Sequence, residues 1–424
     1  MKAKLRSYLR DDFLRHNVVF FFGSLMVAVL NYLYHPVMSR MLSVEDFGEV
    51  QVLFSILALV GVPLGIFNII ALNLYTNNNS YTSSVVQQFS LLTAYVAGAT
   101  AFLLILTAPF VTSLLKLSSI TELFIVAGII IVTAITIFGK AHLQASHRFG
   151  ITSIANAIGA GGKLLAAIFL VYIGFDVTGA IGGLAVAALL TFFYVQLYAK
   201  EYLALPKLKK VKLTPELKKE LHFGLIVLCG TGLITFLTMA DVIFAKYLFT
   251  PEVAGLYSGI SVVGRIVLFL TASIAGVLLA HVKISAPVQE NQKFLRQGLI
   301  LTTLISGGTL LLFILAPKLV ISILVGSEYS TLAHLLPPLG IYLFLVALIN
   351  MYVCYGIALR QKSVIIIGIF GILSTVLFVS VLAATPIGLV TGFLISSALT
   401  LTLCFYVQFT RNKATSHHVN LPIT

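Results

Sequence analysis

The chain consists of long apolar segments that are separated by short polar ones. An apolar segment of about 18 residues or more can cross a lipid bilayer as an α-helix. The pattern predicts twelve such segments, near residues 17–38, 47–74, 85–109, 120–139, 151–173, 177–199, 221–247, 254–282, 296–316, 331–358, 363–383 and 386–409. The apolar runs are continuous, which favours helices over the alternating pattern of membrane-spanning strands. The sequence therefore predicts an all-α integral membrane protein.

A charged stretch from Lys200 to Glu220 divides these segments into two sets of six. The two halves open with similar residues at one constant offset, which aligns Gly23 with Gly230, Glu45 with Glu252, and Gly48 with Gly255. We interpret this as an internal duplication. It predicts an N-terminal lobe (residues 1–199), a cytoplasmic basic linker (residues 200–220) and a C-terminal lobe with a short tail (residues 221–424). Six segments per half give both lobes one orientation, so we expect a pseudo-two-fold axis along the membrane normal.

The composition agrees with this class. Hydrophobic residues make up 59% of the chain and charged residues only 10%, whereas a soluble domain has about 25% charged residues. The formal net charge is +13, and the basic residues lie mainly in the tails, the linker and alternate loops. Such a distribution marks the cytoplasmic side, so we expect both termini and the linker to be cytoplasmic. We predict a multi-pass protein of a bacterial inner membrane and no binding of nucleic acid.

The sequence contains no pattern that is typical of an enzyme or a metal site. Cys229, Cys354 and Cys404 lie inside apolar segments, without a CxxC spacing or a histidine nearby, and predict neither a disulfide nor a metal centre. Paired carboxylates and nucleophile–base combinations are also missing. We therefore predict a protein that is not an enzyme and has no cofactor.

Three charged residues are predicted to lie within the membrane: Lys163 in the fifth segment, Asp241 in the seventh and Arg265 in the eighth. A charge at the bilayer centre costs about 2.5–3.5 kcal/mol on insertion scales, so it normally faces a polar cavity or a partner. Asp241 and Arg265 differ by about four residues in their distance from the turn between their segments, or about 6 Å of helix rise. They could be structural partners, or Asp241 could bind a proton or a sodium ion; the sequence leaves both alternatives open.

Polar residues recur at helical spacing on several segments. The fifth segment carries four on one face, at spacings of four, three and four: Thr152, Asn156, Gly159 and Lys163. Similar stripes contain Asn31 and His35 in the first segment, Thr231, Thr235 and Thr238 in the seventh, and Ser258, Ser261 and Arg265 in the eighth. These stripes predict a polar lumen between the halves. The alternative is helix–helix packing, especially for the threonines, and a structural role is favoured for His35.

Short motifs resemble a known family. The usual pattern of that family is Arg-x-Leu-Gly-Pro-Glu-x-Phe-Gly, which the chain matches at Arg40, Leu42, Glu45, Phe47 and Gly48 but not at Ser43 and Val44. The stretch from Ala141 to Phe149 resembles the family's loop after the fourth span, and Tyr355 to Arg360 repeats it in the second half. The chain thus resembles the polysaccharide and O-antigen flippases of the multidrug/oligosaccharidyl-lipid/polysaccharide (MOP) exporter superfamily.

The resemblance implies a two-lobed transporter that moves a polyprenyl-diphosphate-linked oligosaccharide, a precursor of O-antigen or another surface polysaccharide, to the outer leaflet by alternating access. Arg265 and Lys163 would bind the diphosphate. The sugar hydroxyls would meet the polar residues of the lumen, namely Asn31, His35, Asn156, Ser261 and Thr235. Membrane lipid would hold the prenyl tail, a proton or sodium ion at Asp241 is a candidate coupling ion, and a glycan polymerase is a candidate partner.

Two other functions compete with this interpretation. A multidrug or organic-cation antiporter of the same superfamily would be expected to contain buried acids, whereas two of the three deep charges here are basic. A membrane glycan polymerase or ligase would need catalytic side chains and usually a large outer loop, and the sequence predicts neither.

Overall fold

The computed structural model describes residues 12–76, 83–146, 148–199 and 215–419. Within these ranges the chain is helical and contains no strand. Most of the predicted linker, residues 200–214, lies outside them. The chain divides after Leu221 into two compact units, here called unit 1 (up to Leu221) and unit 2 (from His222).

The helices follow the predicted segments closely. In unit 1 they are α1 (Asp12–Met41), α2 (Val44–Thr76), α3 (Ser83–Leu115), α4 (Thr121–Ala145), α5 (Phe149–Leu170) and α6 (Asp176–Tyr198). A π-helical turn (Val171–Phe175) joins α5 to α6. From the seventh segment on they are α7 (Pro215–Leu248), α8 (Pro251–Gly264), α9 (Ile266–His281), α10 (Val288–Leu315), α11 (Pro317–Leu324), a 3-10 segment (Ser327–Leu335), α12 (Leu336–Ala358), α13 (Ser363–Leu382) and α14 (Pro386–Val419).

The described residues contain ten helical stretches that are long and apolar enough to span a membrane. One of these stretches, Gly150–Tyr198, contains both α5 and α6. Each of the twelve predicted segments coincides with a helix or, in the eighth and tenth segments, with consecutive helical pieces. The predicted class, an all-α membrane protein of about twelve spanning helices in two sets of six, is confirmed.

The internal repeat is also visible in the helix boundaries. The offset that aligns Gly48 with Gly255 also aligns the end of α1 with the end of α7, and the start of α2 with the start of α8. A hydroxyl residue precedes each start. Ser43 Oγ accepts a hydrogen bond from the Asp46 N–H at 3.1 Å, and Thr250 Oγ1 accepts one from the Val253 N–H at 3.5 Å. Ser43, which departs from the family pattern, therefore caps α2.

One helix is central in each unit. The apolar windows of Thr121–Ala145 in unit 1 and Ser327–Ala358 in unit 2 are both 61% buried, more than any other spanning stretch of the described residues. These are the fourth and tenth segments, which correspond to each other in the repeat. In unit 1, α4 packs against α2, α3 and α6, so polar residues on α4 are held against the neighbours that form the site described next.

Candidate functional site

Unit 1 contains a cavity of about 580 Å³ that is lined by residues of α2, α4, α5 and α6. The α5 stripe predicted from the sequence lies on its wall, since Thr152, Asn156, Gly159 and Lys163 all line the cavity. The structure thus brings these four residues together within a single unit. The predicted lumen between the two halves stays a prediction.

A second polar stripe faces the same cavity from α4. Its members are spaced by three, four and four residues: Thr133, Thr136, Lys140 and Gln144. The apolar run of the fourth segment ends at residue 139, so the sequence predicts Lys140 in a loop and does not indicate this stripe. In the structure α4 continues to Ala145, which places Lys140 inside the helix. The helical spacing of the four residues is the signal that could have identified them.

Lys163 is buried, with 7% of its surface exposed. Its Nζ donates a hydrogen bond to Asn31 Oδ1 at 2.9 Å and lies 4.7 Å from the centre of the Tyr34 ring and 5.6 Å from that of Phe54. An ammonium group over an aromatic face is stabilised by the ring's electrons, but its charge is not neutralised. Asn31 and Lys163, which were both predicted as site residues, are therefore in direct contact.

The aromatic wall beside Lys163 is fixed by further contacts. Tyr34 is fully buried, and its hydroxyl donates to the Ala180 carbonyl at 3.0 Å. His35 is buried and contacts the rings of Tyr34 and Phe54 edge-on, with centroid distances of 5.4 and 5.3 Å. His35 does not belong to the lining of the cavity. It supports the rings that surround the Lys163 ammonium group.

Asn156 contacts a lysine of the neighbouring helix α4. Lys140 Nζ donates a hydrogen bond to Asn156 Oδ1 at 2.7 Å. Among the residues that the structure describes, no carboxylate forms a salt bridge with Lys140 or Lys163. The cavity therefore presents two positive charges whose partners are neutral amides and aromatic rings, which suits an anionic ligand.

The remaining predicted charges lie in unit 2 and pair with each other. Arg265 Nη2 lies 3.2 Å from Asp241 Oδ1, and the two residues are 4% and 1% exposed. The other carboxylate oxygen of Asp241 accepts hydrogen bonds from Ser261 Oγ at 2.5 Å and from the Tyr257 hydroxyl at 3.4 Å. Of the two alternatives left open for Asp241, the structure contains the ion pair. Diphosphate binding by Arg265 and ion binding by Asp241 remain predictions.

The threonine stripe of the seventh segment hydrogen-bonds within its own helix. Thr231 Oγ1 donates to the Val227 carbonyl at 2.7 Å, and Thr238 Oγ1 donates to the carbonyls of Ile234 at 2.8 Å and Thr235 at 3.1 Å. Thr235, which was predicted to face a lumen, is half-buried on the same helix. These bonds are typical of helix packing and leave the hydroxyls of Thr231 and Thr238 little capacity to bind a sugar.

The residues that the structure describes include no group of three or more histidine, cysteine, aspartate or glutamate side chains that could hold a metal ion. The cavity of unit 1 contains two lysines among polar and apolar lining residues, and such an arrangement can bind an anion.

Comparisons with known proteins identify the family of the chain and its fold. A family model described as polysaccharide biosynthesis protein matches residues 37–334, which is more than half of the chain and includes parts of both units. No curated protein sequence matches the chain significantly.

Solved structures with the same fold include three kinds of transporter. The lipid II flippase MurJ, in an inward closed conformation, matches with a TM-score of 0.68 and 14% identity over 92% of this chain and 87% of MurJ. An inward-facing multidrug resistance transporter of the MATE family matches with a TM-score of 0.65 and 14% identity, over 92% of this chain and 96% of that transporter. A MOP superfamily transporter from Pyrococcus furiosus, described as having a binding pocket of reverse polarity, matches with a TM-score of 0.61 and 16% identity over 95% of each chain.

These identities show a common fold. Together with the extent of the family match, they lead to one conclusion: the chain belongs to the polysaccharide biosynthesis protein family and has the fold of the MOP superfamily transporters.

Proposed function

We propose that the protein is a flippase that moves a polyprenyl-diphosphate-linked oligosaccharide from the cytoplasmic to the outer leaflet of a bacterial inner membrane. The observation that carries this proposal is the cavity of unit 1, where Lys140 and Lys163 are held by neutral groups. Family membership supports it, because the family model describes polysaccharide biosynthesis proteins and the resemblance described above implies a lipid-linked glycan with an anionic headgroup.

The charge of the headgroup is the main obstacle to flipping. An ion loses much of its hydration free energy when it enters a medium of low dielectric constant, unless charged partners replace the water. A lysine that already has a carboxylate partner would contribute little to binding of the headgroup, since the headgroup would first have to break the existing ion pair. Lys140 and Lys163 need only exchange an amide oxygen for a phosphate oxygen, which gives a stronger, charge-assisted hydrogen bond.

The rest of the cavity suits the sugars next to the diphosphate. Its volume, 580 Å³, lies within the usual range for small-molecule sites, roughly 300–1,000 Å³. Thr133 and Thr191 place hydroxyl groups on the wall, and Asn68 adds an amide. In this proposal they bind the first sugar residues, and the prenyl tail stays in the surrounding lipid while the two units alternate in their access to either side.

Arg265 and Asp241 have a secondary place in the proposal. In the structure they hold each other, so Arg265 would bind the diphosphate only if a phosphate oxygen replaced Asp241 as its partner. Asp241 would then be available for a proton or a sodium ion. Such an exchange would couple substrate binding to ion binding, because each event would favour the other.

The test is made in a bacterial strain that lacks the gene. We expect the lipid-linked glycan to accumulate on the cytoplasmic face and the surface glycan to be lost. Wild type and Lys163→Arg should restore the surface glycan, whereas Lys163→Gln should not, at equal amounts of protein in the membrane. Normal surface glycan in the strain without the gene, or with Lys163→Gln, would contradict the proposal.

A multidrug antiporter is the alternative that the fold allows. An organic cation in this cavity would meet two ammonium groups and no carboxylate among the described lining residues, so electrostatic repulsion disfavours it. Resistance assays with cationic drugs on an overexpressing strain separate the two functions. Resistance that depends on Lys163 but leaves surface glycan unaffected would favour the antiporter.

A further inference from the structure

The two lysines of the cavity form two separate pairs, each with its own asparagine. Lys140 of α4 contacts Asn156 of α5, and Lys163 of α5 contacts Asn31 of α1. We call them the outer pair (Lys140–Asn156) and the inner pair (Lys163–Asn31).

The two pairs lie at different levels along α5. Asn156 and Lys163 are seven residues apart, which corresponds to about 10.5 Å of helix rise. Asn156 lies in the first two turns of α5 and Lys140 in the last two turns of α4, so the outer pair is near the connection between these helices. The inner pair is two turns farther from that connection. This rise between backbone positions is larger than the separation of the two phosphates in one diphosphate, so the two pairs provide two levels for the headgroup along α5.

The choice of asparagine as partner has a chemical consequence. An amide oxygen orients the ammonium group but carries no net charge, so the lysine keeps its attraction for an anion. A carboxylate at the same place would satisfy the lysine and exclude phosphate. Lys163 has in addition a rigid aromatic surround, whereas Lys140 is only partly buried and more accessible.

We propose that the cavity binds the diphosphate in two successive steps, first at the outer pair and then at the inner pair. This inference rests on the proposed function and assigns substrate binding to Lys140, a residue outside the charges predicted from the sequence. The outer pair captures the headgroup from the side of the α4–α5 connection, which the charge pattern predicts to be cytoplasmic. The inner pair holds it farther along the cavity.

The first experiment measures binding of inorganic diphosphate to the purified full-length protein in nanodiscs of neutral lipid, by calorimetry. We expect wild type to show two binding events, one for each pair, and we expect Lys140→Gln and Lys163→Gln each to weaken one of these events by about tenfold or more, since each removes the charged donor of one pair. Lys293→Gln is the matched control, because Lys293 is an exposed lysine on α10 of unit 2, and it should bind like wild type.

Two variants of Asn156 test the outer pair without removing a lysine. Asn156→Asp gives Lys140 a carboxylate partner and should weaken binding as much as Lys140→Gln. Asn156→Ala leaves Lys140 without its amide and should bind within a few-fold of wild type. Wild-type affinity in both Lys140→Gln and Asn156→Asp would overturn the role of the outer pair.

The order of the steps is tested by flipping kinetics in proteoliposomes with a fluorescent polyprenyl-diphosphate sugar. Loss of the capture step in Lys140→Gln should raise the substrate concentration that gives half the maximal rate. Lys163→Gln should instead lower the maximal rate at saturating substrate. If both variants change the same parameter by the same factor, the two-step scheme is wrong.

The binding experiment also separates this inference from the proposed function. A wild type that binds inorganic diphosphate through both lysines but flips no lipid supports the two pairs and overturns the flippase. A wild type that does not bind inorganic diphosphate overturns the assignment of diphosphate binding to the two pairs, whatever substrate it transports.

Discussion

Replacing Asp241 by Asn should destabilise unit 2 more than replacing Arg265 by Met. Asp241→Asn leaves the guanidinium group, 4% exposed, without an anion. Arg265→Met leaves a carboxylate that still accepts hydrogen bonds from Ser261 and Tyr257. The Arg265 charge thus keeps at most one neutral amide acceptor in the first variant, whereas the Asp241 charge keeps two hydroxyl donors in the second.

The magnitudes follow from the burial of the pair. Removal of one partner from a buried ion pair costs about 3–5 kcal/mol, and this applies to Asp241→Asn. Arg265→Met should cost about 1–2 kcal/mol less, because each remaining hydroxyl donor contributes about 1 kcal/mol. The double variant contains neither charge and retains an amide oxygen for the two hydroxyls, so it should be more stable than Asp241→Asn alone.

The assay uses the cysteines of the chain, since the sequence contains no tryptophan. Cys229, Cys354 and Cys404 all belong to unit 2, and Cys404 is buried, so a thiol-reactive dye reports the thermal unfolding of this unit in detergent. For a unit of this size, Asp241→Asn should lower Tm by on the order of 10 °C.

Two results would refute this reasoning: a wild-type Tm for Asp241→Asn, or a double variant less stable than Asp241→Asn. The same variants address the role of the pair in transport. If the double variant is stable and flips substrate at the wild-type rate, the pair is structural only. If it is stable and inactive, the pair takes part in transport.

Two further changes test the packing of unit 1 and can be followed by circular dichroism during heating. Thr178→Val should destabilise the unit by about 1–3 kcal/mol, because it removes the hydrogen bond of 2.6 Å to the buried Glu122 carboxylate, whereas Thr178→Ser should be close to wild type. Gly183→Ala should cost about 1–3 kcal/mol, because the new methyl group would lie 2.6 Å from the backbone nitrogen of Ala167; Gly182→Ala, whose methyl group would meet only a side chain at 3.3 Å, is the control. Equal stability of the two glycine variants would show that the helices separate without strain.

The sequence predicted the spanning helices well because contact with lipid imposes a long apolar run on each of them. It located their ends less well. The apolar run stops at residue 139 and predicts a loop at Lys140, but the backbone stays helical to Ala145 and the polar spacing continues through Gln144. Interruptions such as the break at Arg265 between α8 and α9 were not predicted, since they depend on packing rather than on composition.

Contacts between helices likewise divide into those that the sequence predicts and those that depend on packing. The possible pairing of Asp241 with Arg265 followed from the rise of two consecutive helices across one turn. Helical spacing placed Asn156 and Lys163 on one face but did not indicate their partners. The partner of Lys163, Asn31, is 132 residues away in the chain, so the contact depends on how α1 packs against α5.

The central claim is that lysine charges in the cavity of unit 1 bind a diphosphate headgroup during its passage across the membrane. The most direct measurement is the flipping rate of a fluorescent polyprenyl-diphosphate sugar in proteoliposomes, read by quenching of the label exposed on the outside. We expect rapid flipping with wild type and with Lys293→Gln, partial activity with Lys163→Arg, and a rate close to that of protein-free liposomes with the Lys140→Gln/Lys163→Gln double variant. A double variant that flips the lipid at the wild-type rate would contradict the account.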